Sequence, residues 1–97
     1  MYGTVARMRL KAGMEQELAR QLADFEAMDT PGFVRTTLYR MDANGNELLM
    51  AVVFADKDDY VANAQSPEQD ARYQAMRALM ESDPEWNDGE VIHETVA

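Results

Sequence analysis

The chain lacks cysteine altogether and carries a single histidine and a single tryptophan among its 97 residues. Without thiols there is no disulfide framework, no thiolate nucleophile and no cysteine-based zinc site. One histidine and scattered acidic residues give no metal-ligand spacing, so we expect no metal site. Four glycines, Gly13, Gly32, Gly45 and Gly89, are spaced like turn residues and form neither a phosphate-binding loop nor a dinucleotide-binding pattern.

Basic residues are also scarce. Nine lysines and arginines face 18 acidic residues, which gives a net charge of −9. This charge opposes approach to phosphate backbones and anionic lipid surfaces, so we expect no nucleic-acid or membrane partner. No apolar run approaches the about 20 residues that span a bilayer, and the start, MYGTVARMRL, is too polar for a signal peptide. We therefore expect a soluble cytoplasmic protein.

The length predicts one domain over residues 1–97. A chain of this size buries only roughly 60 to 65% of the surface that its unfolded form exposes. Burial against a second subunit would add stability, so self-association is a reasonable expectation.

Hydrophobic periodicity predicts the elements of the first half. Residues 2–10 alternate with the period of a strand, and Thr4 and Ala6 share one face with the apolar residues that follow. From Met14 to Met28 the apolar residues recur every three or four positions, which predicts an amphipathic helix that stops at Pro31-Gly32. A second strand follows over residues 33–40.

The second half begins with a predicted hairpin. Asn44-Gly45 is expected to supply the positive φ values of a tight reversal, and residues 48–54 form an apolar third strand. A short helical piece covers residues 56–64. Ser66, Pro67 and Gln69 then predict a capping box that starts the next helix.

The chain is expected to close with a turn and a strand. The helix ends before Asp83-Pro84, Asn87-Asp88-Gly89 reads as a turn, and residues 90–96 read as the final strand.

The order β-α-β-β-α-β predicts an α+β ferredoxin-like fold, with a four-stranded antiparallel sheet and helices on one face. The third strand is apolar on both faces, and nothing in the chain remains to cover the second face. A second copy, packed sheet to sheet, is the simplest cover, so we expect a homodimer.

Several segments resemble one protein family. The KAG end of the first strand, the PGF before the second, VVFADKDDY and SPEQDARY are similar to those of antibiotic biosynthesis monooxygenase (ABM) domains of the dimeric α/β-barrel superfamily. The resemblance implies two subunits packed into a barrel, each with a pocket between its sheet and helices. It further implies a cofactor-independent monooxygenase that acts on a small aromatic or polyketide-like substrate, which itself supplies the electrons for oxygen.

The resemblance also assigns positions. The asparagine and tryptophan of the quinone-forming branch fall on Met50 and Phe54, and neither of these side chains can donate a hydrogen bond. The tyrosine of that branch is retained as Tyr60, and its arginine lies near Arg72. The asparagine of the haem-degrading branch falls on Ala6, and its tryptophan and histidine have no counterpart between residues 56 and 85.

We therefore predict a site with eight members. The catalytic candidates are Tyr60, Arg72 and His93, because an imidazole can act as a general base near neutral pH. The ligand-binding candidates are Asn63, Tyr73, Met50, Phe54 and Trp86. The alternatives are that the tyrosines edge the core, that His93 is a structural strand residue and that Trp86 plugs the end of the core. Two functions other than catalysis stay open: a dimeric module that binds an apolar metabolite or a partner protein, and a stress- or signal-associated domain without chemistry.

Overall fold

The four strands of the protein form one antiparallel sheet. The computed structural model describes all residues from 1 to 97. Its elements are β1 (Tyr2–Arg9), α1 (Glu15–Glu26), β2 (Phe33–Arg40), β3 (Glu47–Phe54), α2 (Lys57–Ala64), α3 (Pro67–Arg77) and β4 (Glu85–Glu90). The strand order is β2-β3-β1-β4, with every neighbouring pair antiparallel. The expected ferredoxin-like α+β fold is confirmed.

The hydrophobic core lies between the helices and one face of this sheet. Ala6 of β1 stands opposite Met50 of β3 and Trp86 of β4, and side chains at alternate positions along each strand share that face. Leu18 of α1 packs onto it from above. The buried core cluster comprises Ala6, Met8, Leu10, Leu18, Leu48, Met50, Leu79 and Met80.

Helix α3 begins where the sequence predicts. The Ser66 hydroxyl accepts a hydrogen bond from the Gln69 backbone N–H at 3.1 Å, and Pro67 occupies the first turn. The expected reciprocal bond of a capping box is not made, because the Gln69 side-chain carbonyl accepts hydrogen bonds from Arg72 instead. The Gln69 side chain therefore holds Arg72 and does not cap the helix.

The turn between β2 and β3 differs from the prediction. Neither Asn44 nor Gly45 has a positive φ, which only Gly13 and Gly32 adopt. The connection is longer than a two-residue reversal, and the Asn44 side-chain oxygen accepts from the Asn46 N–H at 3.1 Å. Such a side-chain-stabilised loop reverses the chain without left-handed residues. The prediction of a tight turn with positive φ is wrong.

The last strand also lies elsewhere than expected. The predicted strand at 90–96 and the predicted turn at 87–89 are both wrong, because β4 covers Glu85–Glu90 and pairs with β1. The free edge of β1 needs partners for its backbone N–H and C=O groups, and this need overrides the weak strand preference of Asn, Asp and Gly. Residues 91–97 have no regular secondary structure.

The second face of the sheet is free of helices. The Val5 side chain is 50% exposed there, although valine favours burial. Arg7 pairs with Glu47 on this face at 2.5 Å. None of the helices has both the length and the apolar character that crossing a bilayer requires.

Candidate active site

A cavity of about 660 Å³ opens between the helix-covered sheet face and the helices. Most of its lining residues are hydrophobic, and all four strands and all three helices contribute to it. A volume of this size suits a drug-sized ligand. Core side chains therefore leave the space between this part of the sheet and the helices open.

Aromatic side chains form much of the wall. The Tyr60 ring stands edge-on to the rings of Tyr2 and Phe54, with centroid distances of 5.2 and 5.7 Å. On α3 and β4, the Tyr73 and Trp86 rings are 6.1 Å apart and tilted. Such surfaces suit contact with a flat aromatic ligand.

Tyr60 and Asp88 form a polar pair in this wall. The Tyr60 hydroxyl donates a hydrogen bond to Asp88 Oδ1 at 2.8 Å. Burial raises the pKa of the Tyr60 phenol to about 12, and the hydrogen bond and negative charge of Asp88 act in the same direction. Tyr60 is therefore protonated at neutral pH and acts as a hydrogen-bond donor rather than as a base.

Arg72 carries a positive charge into the cavity wall without a carboxylate partner. Its guanidinium donates to Gln69 Oε1 at 2.9 and 3.1 Å and to Asn63 Oδ1 at 3.3 Å, and it stacks on the Phe25 ring at 4.8 Å. By contrast, Arg20 is paired with two carboxylates on its own helix. Because the hydrogen-bond acceptors of Arg72 are neutral, its charge can act on an anionic group of a ligand.

The structure brings together seven of the eight predicted site residues. Met50, Phe54, Tyr60, Asn63, Arg72, Tyr73 and Trp86 all line the cavity. Trp86 belongs to strand β4, where its side chain faces the helices, rather than to a helix exit that plugs the core. The cavity lies between the sheet and the helices, where the resemblance implies a pocket.

His93 lies apart from this cavity. It is exposed in the segment that follows β4, and its Nε2 atom is 2.8 Å from the Thr95 hydroxyl oxygen. The expected strand face for His93 does not exist, because β4 ends at Glu90. In this chain the histidine has no contact with the cavity.

Thr4 and Asp88 also line the cavity but were not among the predicted site residues. They stand directly opposite each other on β1 and β4. Thr4 was placed on the helix-covered face by its alternation with Ala6, yet a lone threonine gives no functional signal. Asp88 was hidden by the turn-like Asn87-Asp88-Gly89, although its spacing of two from Trp86 is that of a shared strand face.

Residues 1–79 match the family described as "Antibiotic biosynthesis monooxygenase". The chain belongs to this family. The matched residues include β1 to β3 and all three helices. No curated protein matches the sequence.

Solved structures of similar proteins agree with this assignment. An asparagine-to-alanine variant of SnoaB, a cofactor-independent oxygenase from Streptomyces nogalater, is 27% identical, with a TM-score of 0.78 over 96% of this chain and 94% of that chain. The structure of SnoaB determined to 1.9 resolution is 28% identical, with a TM-score of 0.73 over 98% and 95% of the two chains. A putative antibiotic biosynthesis monooxygenase from Caulobacter crescentus shares the fold at 18% identity, with a TM-score of 0.79 over 95% and 90%.

Proposed function

We propose that this family member is a cofactor-independent monooxygenase that oxidises a small aromatic or polyketide-like substrate in the cavity. One observation carries the proposal: an open, largely apolar cavity with aromatic walls also contains a guanidinium, Arg72, that has no carboxylate partner. Similarity to SnoaB, a cofactor-independent oxygenase, supports the same chemistry.

The substrate would be its own reductant. A hydroxyaromatic that has lost a proton is electron-rich enough to reduce O₂ without a bound redox group. For a methylene flanked by aromatic rings, two C–H bonds break and a C=O bond forms from one oxygen atom, while the second oxygen atom leaves as water. Arg72 would stabilise the negative charge on the substrate during this reaction.

Met50 and Phe54 restrict how the site can work. Both line the cavity, and neither donates a hydrogen bond to oxygen or to a developing oxyanion. Under the proposal they shape the apolar part of the cavity, while Asn63 and Arg72 supply the donors, because the Tyr60 hydroxyl already donates its proton to Asp88. This division departs from the asparagine and tryptophan that the resemblance to the quinone-forming branch implies.

Oxygen uptake with a panel of dihydroxyaromatic compounds tests this proposal. We expect uptake with at least one of them and a decrease in kcat of about 100-fold or more in Arg72→Gln, because a charge aimed at the developing anion is lost. Arg40→Gln is the matched control, since Arg40 is exposed and does not line the cavity. Equal loss of activity in both variants would contradict the role of Arg72.

Met50 and Phe54 favour a second candidate function, a non-catalytic module that binds an apolar metabolite. The oxygen-uptake experiment separates the two candidates when it is combined with thermal denaturation. A ligand at 100 times its Kd stabilises the folded state by about 2.7 kcal/mol whether or not it reacts. If apolar aromatics raise the melting temperature and none of them is turned over, the binding module is the correct function.

We also propose that a second copy of the chain covers the free sheet face. The half-exposed Val5 and the largely exposed Ile92 and Val96, at 91% and 80%, are the apolar groups that such contact would bury. Family membership supports the same arrangement. Sedimentation at micromolar concentration should give twice the chain mass of 11.0 kDa, and a monomer would contradict it.

A further inference from the structure

We propose that Asp88 binds a hydroxyl group of the substrate and accepts its proton, so that the cavity selects hydroxyaromatic compounds. This inference rests on the proposed function and names the substrate feature that the cavity recognises. Asp88 is a cavity-lining residue of β4, and its carboxylate stays accessible to solvent and hence to a ligand.

One oxygen of this carboxylate is occupied and the other is available. Asp88 Oδ1 accepts the hydrogen bond from Tyr60, whereas Oδ2 receives no hydrogen bond from the protein. An ionised carboxylate has only acceptor sites, and a ligand hydroxyl is a donor that its unoccupied oxygen can bind. The available atom thus has the chemistry to recognise a phenol.

A second unpaired oxygen points to the same ligand. Thr4 is 6% exposed, and its Oγ1 atom is buried without a hydrogen bond of good geometry, although it lies close enough to the Tyr60 hydroxyl to act on the pKa of that phenol. A buried hydroxyl without a partner costs free energy, so it gains from a polar ligand atom nearby. Because Thr4 stands directly opposite Asp88 across the β1–β4 pair and lines the same cavity, both oxygens can face one polar group.

The charged groups around Asp88 leave its carboxylate without a direct cationic partner. The Lys57 ammonium lies 5.4 Å from the centroid of the Tyr2 ring, and it forms no ion pair with Asp88. Glu90, two residues further along β4, adds negative charge at the end of the strand. The negative charge of Asp88 therefore remains available for hydrogen bonding to a substrate proton.

The proton transfer is simple to write. The O–H bond of the substrate hydroxyl breaks, an O–H bond forms at Asp88 Oδ2, and the electron pair of the broken bond stays on the substrate oxygen. The resulting phenolate is the electron donor for O₂. The proton on Asp88 then returns to the same oxygen of the product and re-forms its hydroxyl group, because both hydrogens of the departing water come from the broken C–H bonds.

Tyr60 acts here as a positioning residue. Its hydroxyl donates to Oδ1, and its ring is held between Tyr2 and Phe54, so the carboxylate is anchored to a packed aromatic group. Because the pKa of Tyr60 is raised to about 12, this donor stays protonated throughout the neutral range. Oδ2 is thereby left as the oxygen for the substrate.

The test compares 1-naphthol with its methyl ether, 1-methoxynaphthalene, by isothermal titration calorimetry. The ether has nearly the same apolar surface but no proton to donate. We expect wild-type protein to bind the naphthol about 10-fold or more tightly than the ether, since hydrogen bonds to charged groups are stronger than neutral ones. In Asp88→Asn the ratio should fall to about 3 or less.

Two further variants make the result specific. Glu90→Gln removes one negative charge from the same strand without touching the cavity, and it should keep the wild-type ratio. Tyr60→Phe keeps the ring that contacts Tyr2 and Phe54 but frees Oδ1. It should lower the ratio less than Asp88→Asn does, and it supplies the measurement if the latter variant does not fold.

The outcomes separate this inference from the proposed function. If wild type binds both compounds equally, or if Asp88→Asn keeps the wild-type preference, the role of Asp88 is wrong while the cavity remains a ligand site. If neither compound binds, the cavity does not take aromatic ligands, and the proposed function and this inference fail together. Selective binding that depends on Asp88 supports the inference even in the absence of oxygen uptake.

Discussion

The two ends of the helix-covered sheet face differ sharply, although the same strands build both. At one end Met8, Leu10 and Met80 are almost completely buried. At the other end Thr4 and Trp86 line an open cavity. The alternate residues of β1 run from Thr4 through Ala6 to Met8, and Leu10 follows directly after the strand, so one segment passes from the cavity into the packed core.

The difference comes from what covers each end. After α3 the chain folds back over the packed end, where the Lys11 N–H donates to the Leu79 carbonyl at 2.9 Å and Leu10 forms a backbone bridge with Met80. At the open end, α2 and α3 present Asn63 and Arg72, whose polar groups bond to one another instead of entering the core. The same sheet face thus carries tightly packed apolar side chains at one end and a cavity for a ligand at the other.

Substitution in the packed end should have the largest effect on stability. In Met80→Ala a side chain with 0% exposure loses its apolar atoms and leaves a cavity, which we expect to cost about 2 to 5 kcal/mol of unfolding free energy. Urea denaturation measures this loss. Met28→Ala is the comparison, because Met28 is 49% exposed at the cavity and should cost less than about 1 kcal/mol. Equal losses would show that the two ends are packed alike.

Filling the open end should make it resemble the packed end. Val52 lies on β3 opposite Thr4 and lines the cavity, so Val52→Phe adds a ring to empty space. We expect an aromatic ligand at 100 times its wild-type Kd to lose most of its about 2.7 kcal/mol of stabilisation, while the free protein stays folded. Val34→Phe adds the same ring at an exposed position of β2 and should bind ligand normally. Unchanged binding by Val52→Phe would place the ligand elsewhere.

Removal of the tryptophan should weaken the open end as a binding surface without weakening the fold. Trp86 is 42% exposed and contacts Tyr73, so Trp86→Ala should raise the Kd for an aromatic ligand about 10-fold. Trp86→Phe retains an aromatic surface and should raise it only about 2- to 3-fold. Calorimetry is the suitable measurement, because these variants lack the only tryptophan of the chain. A weaker effect for Ala than for Phe would contradict the stacking role.

The fold and seven of the residues that line the cavity could be predicted from the sequence, and the fold depends on local patterns. Alternation along β1, helical spacing in α1 and the Ser66-Pro67 signal identify elements directly. The position of β4 could not be read in this way, since Asn87-Asp88-Gly89 favours a turn and only the free edge of β1 makes it a strand. Because β4 covers Glu85–Glu90 and not residues 90–96, Asp88 lines the cavity and His93 lies outside it.

The pKa of Tyr60 reports the burial and hydrogen bonding of one side chain in the cavity wall, and its expected effect on stability is the smallest. Near-ultraviolet absorbance should show one of the four tyrosines ionising with a pKa of about 12 rather than near 10.0, and Tyr60→Phe should remove that transition. Because a raised pKa keeps the native phenol neutral after the unfolded one has ionised, its contribution to stability is complete below pH 10 and is lost between about pH 10 and 12. The contribution to stability is about 1 kcal/mol after allowance for solvent screening of a half-exposed group.

In Asp88→Asn the pKa of Tyr60 should fall only part of the way towards its ordinary value, since burial, its largest cause, remains. An ordinary pKa in wild type would mean that the phenol is neither buried nor bonded to Asp88.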